Sequence, residues 1–309
     1  MRFFVQGKYI YLIKFVIYQD VNFLNGIKLN VGPSPIWKKQ GWVGLDHKPS
    51  RVGSETILGD SDKIKLKSKS CSVIFSSHVI EHIPHYKFEK CLLEFNRVLK
   101  KGGAIRILTP DLYRISKAYV EKDKIFFKKL EQEAGGLHRK DLGFGGIAMN
   151  LHISSGQDTA LFNNQLTEFI GGYAHVYLYD FEMLKILLKR YGFDSITEKN
   201  FCESDYDEFR EPLHIEGMKS KWENLNQKFY KKHNLINKYN SKKHKYETNF
   251  VMTGFDRNPI MSLIVEAKKT RDVKKLNIKD VDNYIYSRSL LDNAEFRKKC
   301  KKLSINVGK

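Results

Sequence analysis

The chain has 309 residues, of which 41% are hydrophobic and 13% aromatic. This content excludes disorder as the main state, because it provides enough apolar surface to build a core. Lysine and arginine number 54 against 35 acidic residues, a net charge of +19, which suits an anionic partner but follows equally from a lysine-rich composition without one.

Neither a disulfide framework nor a membrane span is predicted. The four cysteines form no C-x-x-C pair and no zinc-ribbon spacing. The apolar N-terminal segment, residues 1–27, is interrupted by Lys8 and Lys14 and has no small-residue cleavage site. We therefore expect a protein of the reducing cytoplasm with no transmembrane span, and we do not favour a peripheral membrane contact.

Short apolar runs alternate with turns from residue 28 onward, which is typical of a parallel sheet with helical crossovers. The predicted strands are 28–31, 42–45, 56–58, 72–76, 104–109, 195–201 and 261–267. Helices are predicted at 86–100 and 180–191 from apolar residues at three- and four-residue spacing. Gly102 and Gly103 are expected to end the first helix, and Asp180 to cap the second.

Two long insertions interrupt the predicted domain of strands and helices, which spans residues 28–269. Residues 111–174 are rich in glycine and histidine and are predicted to form a functional loop or lid. Residues 204–258 are charged and aromatic, with a helix expected at 219–232. The Lys-rich tail, 270–309, is only weakly periodic.

The first two predicted strands end in residues suited to a nucleoside. Gly32 follows the first strand directly, and Asp46 ends the second. A glycine there lets a ligand approach the backbone, and a carboxylate can accept hydrogen bonds from both ribose hydroxyls. G-x-G-x-x-G is absent, and Pro33 and Pro35 remove amides that would bind a pyrophosphate, which argues against NAD. On these two residues alone, a chance pairing of Gly and Asp stays open.

Several further motifs follow in order: LGDS at 58–61, CSVIFSSHVIEHI at 71–83, LKKGGAIRI at 99–107 and PD at 110–111. Together with LNVG and GWVGLD before them, they resemble the motifs of class I S-adenosylmethionine (SAM) dependent methyltransferases, in particular small members associated with glycan or small-molecule modification. The resemblance covers residues 28–111 and extends loosely to HVYLYD, YGF and SLIVEA. It implies an α/β fold with a Rossmann-like, seven-stranded, mostly parallel sheet, in which helical or loop insertions form an acceptor cap.

The resemblance also implies a set of cofactor-binding positions. These are Gly32, Pro33, Ser34, Asp46, Asp60, Ser61, Ser77 and His78. Gly32 would lie along the methionine part of SAM, and Asp46 would hold the ribose. Asp60 with Ser61 would meet the adenine, and Ser77 with His78 would line the cofactor. The chain departs from the family at Ser34, where a second glycine is usual, and at Ser72, where an aspartate is usual. The first departure leaves the path of the methionine carboxylate open.

His78, Glu81 and His82 spell H-x-x-E-H, a pattern that binds zinc in some peptidases when it lies on a helix. The segment follows a strand and runs into Ile83 and Pro84, which leaves little room for a continuous helix. We therefore predict pocket structure and no metal here. A metal would need a further ligand from a distant part of the chain.

The acceptor is expected to bind against the cap. Candidate catalytic bases there are His138, His152, His175 and Tyr177, although each alone is also compatible with an ordinary packing or surface role. Arg210 and Arg257 could bind a carboxylate or phosphate of the substrate. We expect methylation of an oxygen or nitrogen of a small-molecule or glycan-related acceptor. The acceptor is expected to be anionic if the two arginines bind it. The alternatives are a nucleic-acid methyltransferase, for which no RNA-binding module or base-reading motif is present, and an inactive scaffold with the same fold.

Overall fold

The structure of the protein is a computed structural model. It describes residues 4–6, 9–11, 26–33, 37–134, 139–154, 175–200, 203–210, 238–240, 245–247 and 260–274. The predicted helix at 219–232 lies outside these residues.

Strands and helices alternate through the first half of the described chain. The strands are β1 Phe4–Gln6, β2 Tyr9–Tyr11, β3 Ile27–Val31, β4 Trp42–Asp46, β5 Thr56–Leu58, β6 Cys71–Ser77, β7 Leu99–Pro110, β8 Phe193–Glu198, β9 Lys238–Asn240, β10 Lys245–Glu247 and β11 Ser262–Lys269. The α-helices are α1 His85–Val98, α2 Leu112–Val120, α3 Lys124–Ala134, α4 Gly143–Met149, α5 Phe181–Arg190 and α6 Asp207–Arg210. Single helical turns lie at Ile80–His82, Lys140–Leu142 and, with π geometry, Asn150–Ser154.

Seven strands form one sheet in the order β5-β4-β3-β6-β7-β11-β8. Neighbours from β5 to β7 are parallel, whereas β11 is antiparallel to both β7 and β8. β1 with β2 and β9 with β10 form separate antiparallel pairs. The predicted Rossmann-like, mostly parallel, seven-stranded sheet is thus confirmed.

Apolar side chains of the central strands account for this arrangement. β3, β6 and residues 104–110 of β7 are buried on both faces, as apolar runs in a parallel sheet should be. On one face, α1 contributes Phe88, Leu92 and Phe95 to the main core. On the other, Phe209 of α6 packs against Trp42 and Phe75, with ring centroids 6.4 and 6.3 Å apart.

The glycines after α1 do not end that helix as predicted. α1 already ends at Val98, where the Leu99 amide bonds to the Phe95 carbonyl, and β7 begins at Leu99. Gly103 lies inside the strand, and a Cβ there would come within 2.6 Å of the Ser72 carbonyl oxygen. The glycine therefore permits close approach of two strands, a long-range requirement that local sequence does not reveal.

The described part of the 111–174 insertion is largely helical, so of the predicted helical and loop insertions the helical form is present there. α2, α3 and α4 bury a cluster of their own, in which Ile115, Phe127, Leu130 and Ile147 are at most 5% exposed. Most of these apolar residues recur at helical spacing before the first glycine of the insertion, at position 135. By contrast, α5 has the predicted cap: Asp180 accepts a hydrogen bond from the Met183 amide at 2.9 Å.

A buried ion pair joins β7 to β11. Arg106 and Glu266 are opposite each other in the strand register, and both are almost fully buried. Arg106 also donates to the Glu203 carbonyl at 2.8 Å, and Glu266 accepts from the Ser204 hydroxyl and, at 3.2 Å, from the Asp205 amide. The pair thereby fixes the chain at 203–205 against the sheet.

Replacing Arg106 by Met should therefore destabilise the protein by about 3 to 5 kcal/mol, because the Glu266 carboxylate would be left buried without its cation. The double variant Arg106→Met, Glu266→Leu should recover most of that loss, since no buried charge remains. Urea unfolding of the two variants and the wild type measures the difference. Equal destabilisation of both variants would show that the ion pair is not the source of the cost.

A second buried carboxylate connects α1 to α5. Glu89 accepts hydrogen bonds from the Tyr191 hydroxyl at 2.6 Å and from Arg190 at 3.0 Å, and it lies 3.4 Å from His85 Nε2. Burial opposes ionisation of Glu89, but these partners outweigh it and lower its pKa to about 2 from the ordinary 4.5.

Because the pKa of Glu89 is lower in the folded chain, its contribution is complete above about pH 5 and disappears as the pH falls toward 2. We expect Glu89→Gln to remove up to about 3 kcal/mol of stability at neutral pH and to flatten the loss of stability between these values. Urea unfolding across the acid range measures both effects. Glu182→Gln, on the exposed side of α5, is the control and should keep the wild-type acid dependence.

Candidate functional site

The strand order reverses between β3 and β6, and this reversal defines a crevice at one edge of the sheet. β4 and β5 lie on one side of β3, whereas β6 and β7 lie on the other. In open α/β sheets, ligands bind outside the carboxyl ends of the strands at such a switch point. The residues that follow β3, β4 and β6 are therefore the first candidates for a site.

Gly32 follows β3 with a φ of +66°, a conformation that glycine adopts without strain. Its amide donates to the Leu45 carbonyl at 2.8 Å. A Cβ at Gly32 would lie 2.5 Å from Cγ2 of Val79, in the segment after β6. Pro33 is half-buried beside it, and Ser34 lies outside the described residues. The glycine thus lets the turns after β3 and β6 pack together at the crevice.

The two acidic residues predicted to bind the nucleoside follow neighbouring strands. Asp46 ends β4, and its Oδ1 accepts from the Lys48 amide at 3.0 Å. Asp60, after β5, lies 2.9 Å from His47 Nε2 and accepts from Lys87 at 3.3 Å. Partial burial opposes ionisation of Asp60, but its contacts with Lys87 and His47 outweigh burial and lower its pKa. Both carboxylates therefore lie at the carboxyl edge of the sheet.

Three other predicted cofactor positions are packed against protein. The Ser61 hydroxyl lies 3.1 Å from the Cys91 sulfur of α1. Ser77 is buried at the end of β6. His78 has a φ of +54°, and its amide donates to the Leu108 carbonyl at 2.9 Å. The backbone therefore turns sharply as it leaves β6.

Glu81 is the centre of a buried polar cluster next to this turn. Its carboxylate is 0% exposed and lies 3.1 Å from His78 Nδ1 and 3.3 Å from the Thr109 hydroxyl, which donates to it. The Glu81 carbonyl accepts from the amides of Val176 and Tyr177, at 2.8 and 3.3 Å. Residues distant in sequence are therefore held around one acidic side chain.

Burial alone would raise the pKa of Glu81. The hydrogen bond from His78 and the proximity of His78, His82 and His175 act in the opposite direction and lower it. His78 also bonds through Nε2 to the Ser262 hydroxyl at 2.9 Å. The Glu81 carboxylate is therefore ionised near neutral pH, and because it then only accepts, His78 Nδ1 is the donor in their contact.

The structure brings His175 and Tyr177 to this cluster. His175 is 7% exposed, its Nδ1 donates to the Leu151 carbonyl at 2.6 Å, and burial lowers its pKa although Glu81 acts in the opposite direction. Tyr177 is 38% exposed and stacks on His85 with centroids 4.7 Å apart. Of these two candidate bases, only Tyr177 presents a substantial surface to solvent.

The other predicted acceptor residues are not brought to the cluster by any described contact. His152 lies in the π-helical turn, its Nε2 is buried with no partner among the described residues, and burial lowers its pKa. His138 and Arg257 lie outside the described residues, as does the side chain of Arg210. A cleft of about 270 Å³ beside Lys100 and Tyr206 lies at the opposite, amino edge of the sheet.

Sequence reasoning missed three partners of the cluster: Thr109, Ser262 and the Leu151 carbonyl. Thr109 lies near the end of β7, and Ser262 begins β11 opposite Pro110. Their proximity follows from the strand order and register, for which the sequence carries no local signal. For Thr109 alone the sequence carried a signal: it ends a predicted strand, which places it at the carboxyl edge of the sheet.

Residues 38–107 match the family model described as a methyltransferase domain. No curated protein matches the chain.

Solved structures similar to the chain include a SAM-dependent methyltransferase from Archaeoglobus fulgidus, at 13% identity and a TM-score of 0.37, over 79% of this chain and 86% of that one. A second is from Mesorhizobium loti, at 12% identity and a TM-score of 0.36, over 79% and 91%. A third, phosphoethanolamine N-methyltransferase 2 of Haemonchus contortus, has 12% identity and a TM-score of 0.35, over 80% and 49%. At these TM-scores the structural similarity does not assign a function to the chain.

The family match spans β4, β5, β6 and most of β7, the strands that flank β3 on both sides of the switch point. Combined with the Rossmann-like strand order, it supports a SAM-dependent methyltransferase, with SAM as the cofactor that such a domain uses. No helix among the described residues is long and apolar enough to cross a membrane.

Gly32→Ala should lower stability by about 1 to 3 kcal/mol, because the alanine would be strained at positive φ and its Cβ would overlap Val79. Gly41→Ala is a matched control: Gly41 has a φ of +76°, but a Cβ there meets nothing within 4 Å. Thermal and urea unfolding of the two variants separate overlap from backbone strain.

If the overlap is the larger cost, Gly32→Ala should be less stable than Gly41→Ala, and adding Val79→Ala should restore part of the difference. Equal stability of the two glycine variants would contradict a packing role for Gly32.

Proposed function

We propose that this protein transfers the methyl group of SAM to an oxygen or nitrogen of a small-molecule or glycan-related acceptor, an anionic one if Arg210 and Arg257 contribute. The observation that carries the proposal is the joint position of Gly32 and Asp46 after neighbouring strands at the switch point. Asp46 would accept hydrogen bonds from the ribose hydroxyls, and the turn after β3 would hold the methionine part of SAM.

The reaction is an in-line displacement. A lone pair of the acceptor oxygen or nitrogen forms the new bond to the methyl carbon, and the bond from that carbon to the sulfonium sulfur breaks. The electron pair stays on sulfur, which becomes the neutral thioether of S-adenosylhomocysteine. The acceptor loses its proton to a base or to water, so the protein's main task is alignment and exclusion of water.

We place the acceptor against the aromatic surface formed by Tyr177 and His85, beside the Glu81 cluster. Their rings stack, Tyr179 packs 5.1 Å from Tyr177, and the Tyr179 hydroxyl lies 3.3 Å from His85 Nδ1. This surface is polar at its edges and partly exposed, which suits an acceptor with a ring and hydroxyl groups. His175, being buried, would act on the acceptor through the cluster rather than by direct contact.

We expect Asp46→Ala to weaken binding of SAM and S-adenosylhomocysteine by about 2 to 4 kcal/mol, because the ribose loses a charged hydrogen-bond acceptor. Isothermal titration calorimetry with S-adenosylhomocysteine measures this. Asp194→Ala is the control, since Asp194 begins β8 at the opposite edge of the sheet and should leave affinity unchanged. Wild-type affinity in Asp46→Ala would remove that residue from the cofactor site.

Mass spectrometry of the purified protein, searching for a co-bound acceptor, together with transfer of labelled methyl groups, tests the acceptor class. Preferential labelling of nucleic acid over small acceptors would replace the proposed acceptor. Binding of S-adenosylhomocysteine without transfer to any acceptor would support the inactive scaffold.

A further inference from the structure

Three side chains that commonly bind metals meet beside the switch point. Glu81, His82 and His175 each offer one ligand atom, and these atoms lie within 4.8 Å of one another. The rings of His82 and His175 are edge to face with centroids 5.0 Å apart. One carboxylate and two imidazoles are a ligand set suited to a divalent transition metal.

The hydrogen bonds around these ligands match those of metal sites. The bond from His175 Nδ1 to the Leu151 carbonyl fixes the tautomer, which leaves the lone pair on Nε2. The Glu81 carboxylate receives contacts from His78 and Thr109, one on each oxygen. Each carboxylate oxygen keeps a second lone pair, so these contacts orient the group without preventing coordination.

Burial also favours a cation. The Glu81 side chain is 0% exposed, and a carboxylate held away from water needs hydrogen-bond donors or a cation beside it. His82 is half-buried, so it forms the side of the cluster nearest to solvent. The Leu151 carbonyl belongs to a π-helical turn, a feature that often marks functional sites. The same turn carries the buried Nε2 of His152, which has no partner among the described residues.

This ligand set differs from the one considered for H-x-x-E-H. The segment is not a continuous α-helix: His78 has a left-handed backbone conformation, and only Ile80–His82 forms a turn. His78 therefore bonds to the Glu81 carboxylate instead of pairing with His82. The distant ligand that a metal would require is present, and it is His175.

We propose that Glu81, His82 and His175 bind a divalent transition-metal ion whose remaining coordination position is open to an oxygen ligand. The chemical consequence rests on the proposed function. The open position would bind a hydroxyl of the acceptor, so the methylated atom would be oxygen. Three protein ligands with an open position are typical of catalytic rather than structural metal sites.

Titration of the chelator-treated protein with Zn²⁺ tests the site directly. We expect one ion per chain, bound at least about 10- to 100-fold more weakly by His82→Ala and by His175→Gln. His47→Ala is the matched control, because His47 is an exposed histidine outside the cluster and its loss should not change affinity. Binding by His82→Ala equal to that of the wild type, or no stoichiometric binding at all, would overturn the site.

A spectroscopic measurement on the wild type needs no variant to fold. The zinc X-ray absorption spectrum should show two imidazole ligands and at least one oxygen beyond the single carboxylate. A spectrum without imidazole ligands would overturn the site even if zinc binds.

Titration of the same chelator-treated protein with S-adenosylhomocysteine separates this inference from the proposed function. Binding of S-adenosylhomocysteine without stoichiometric zinc would overturn the metal site and leave the methyltransferase proposal standing. Stoichiometric zinc without S-adenosylhomocysteine binding would support the metal site and contradict the proposed function.

Discussion

A single buried carboxylate, that of Glu81, constrains the edge of the sheet where the candidate site lies. Because this carboxylate is fully buried, it needs hydrogen-bond partners inside the fold. Those partners come from β6 through His78 and from β7 through Thr109, while the Glu81 backbone carbonyl receives the amides at 176 and 177. Segments remote in sequence therefore have one arrangement in which this charge is satisfied, and that arrangement positions the side chains facing the crevice.

The two halves of the proposed site depend on the fold in different ways. The proposed cofactor half uses residues at strand ends, Gly32 and Asp46, whose positions follow from the parallel order of β3 and β4. The proposed acceptor half uses Tyr177 and His175, in a segment that bonds to the core through the Glu81 carbonyl. Cofactor binding would thus depend on the sheet itself, whereas acceptor geometry would depend on a polar contact that substitutions can alter without disturbing the strands.

How far the sequence predicts this structure depends on the range of the interaction. Local signals were sufficient for the parallel strands, for the Asp180 cap of α5 and for the positions of Gly32 and Asp46 at strand ends. They failed at Gly103, which does not end a helix but allows a neighbouring strand to approach closely. They also failed to join His175 to Glu81, 94 positions earlier, because no periodicity encodes a contact that depends on the strand order.

The antiparallel direction of β11 explains how one strand stabilises both edges of the sheet. Because it runs against β7, its first residue, Ser262, lies at the carboxyl edge and bonds to His78. Its last residue, Lys269, lies at the amino edge, where the buried ammonium donates to the carbonyls of Asn96 and Leu99. In a parallel β11 these ends would be exchanged, and neither contact could form. The orientation of His78, and through it that of Glu81, therefore depends on the reversed strand.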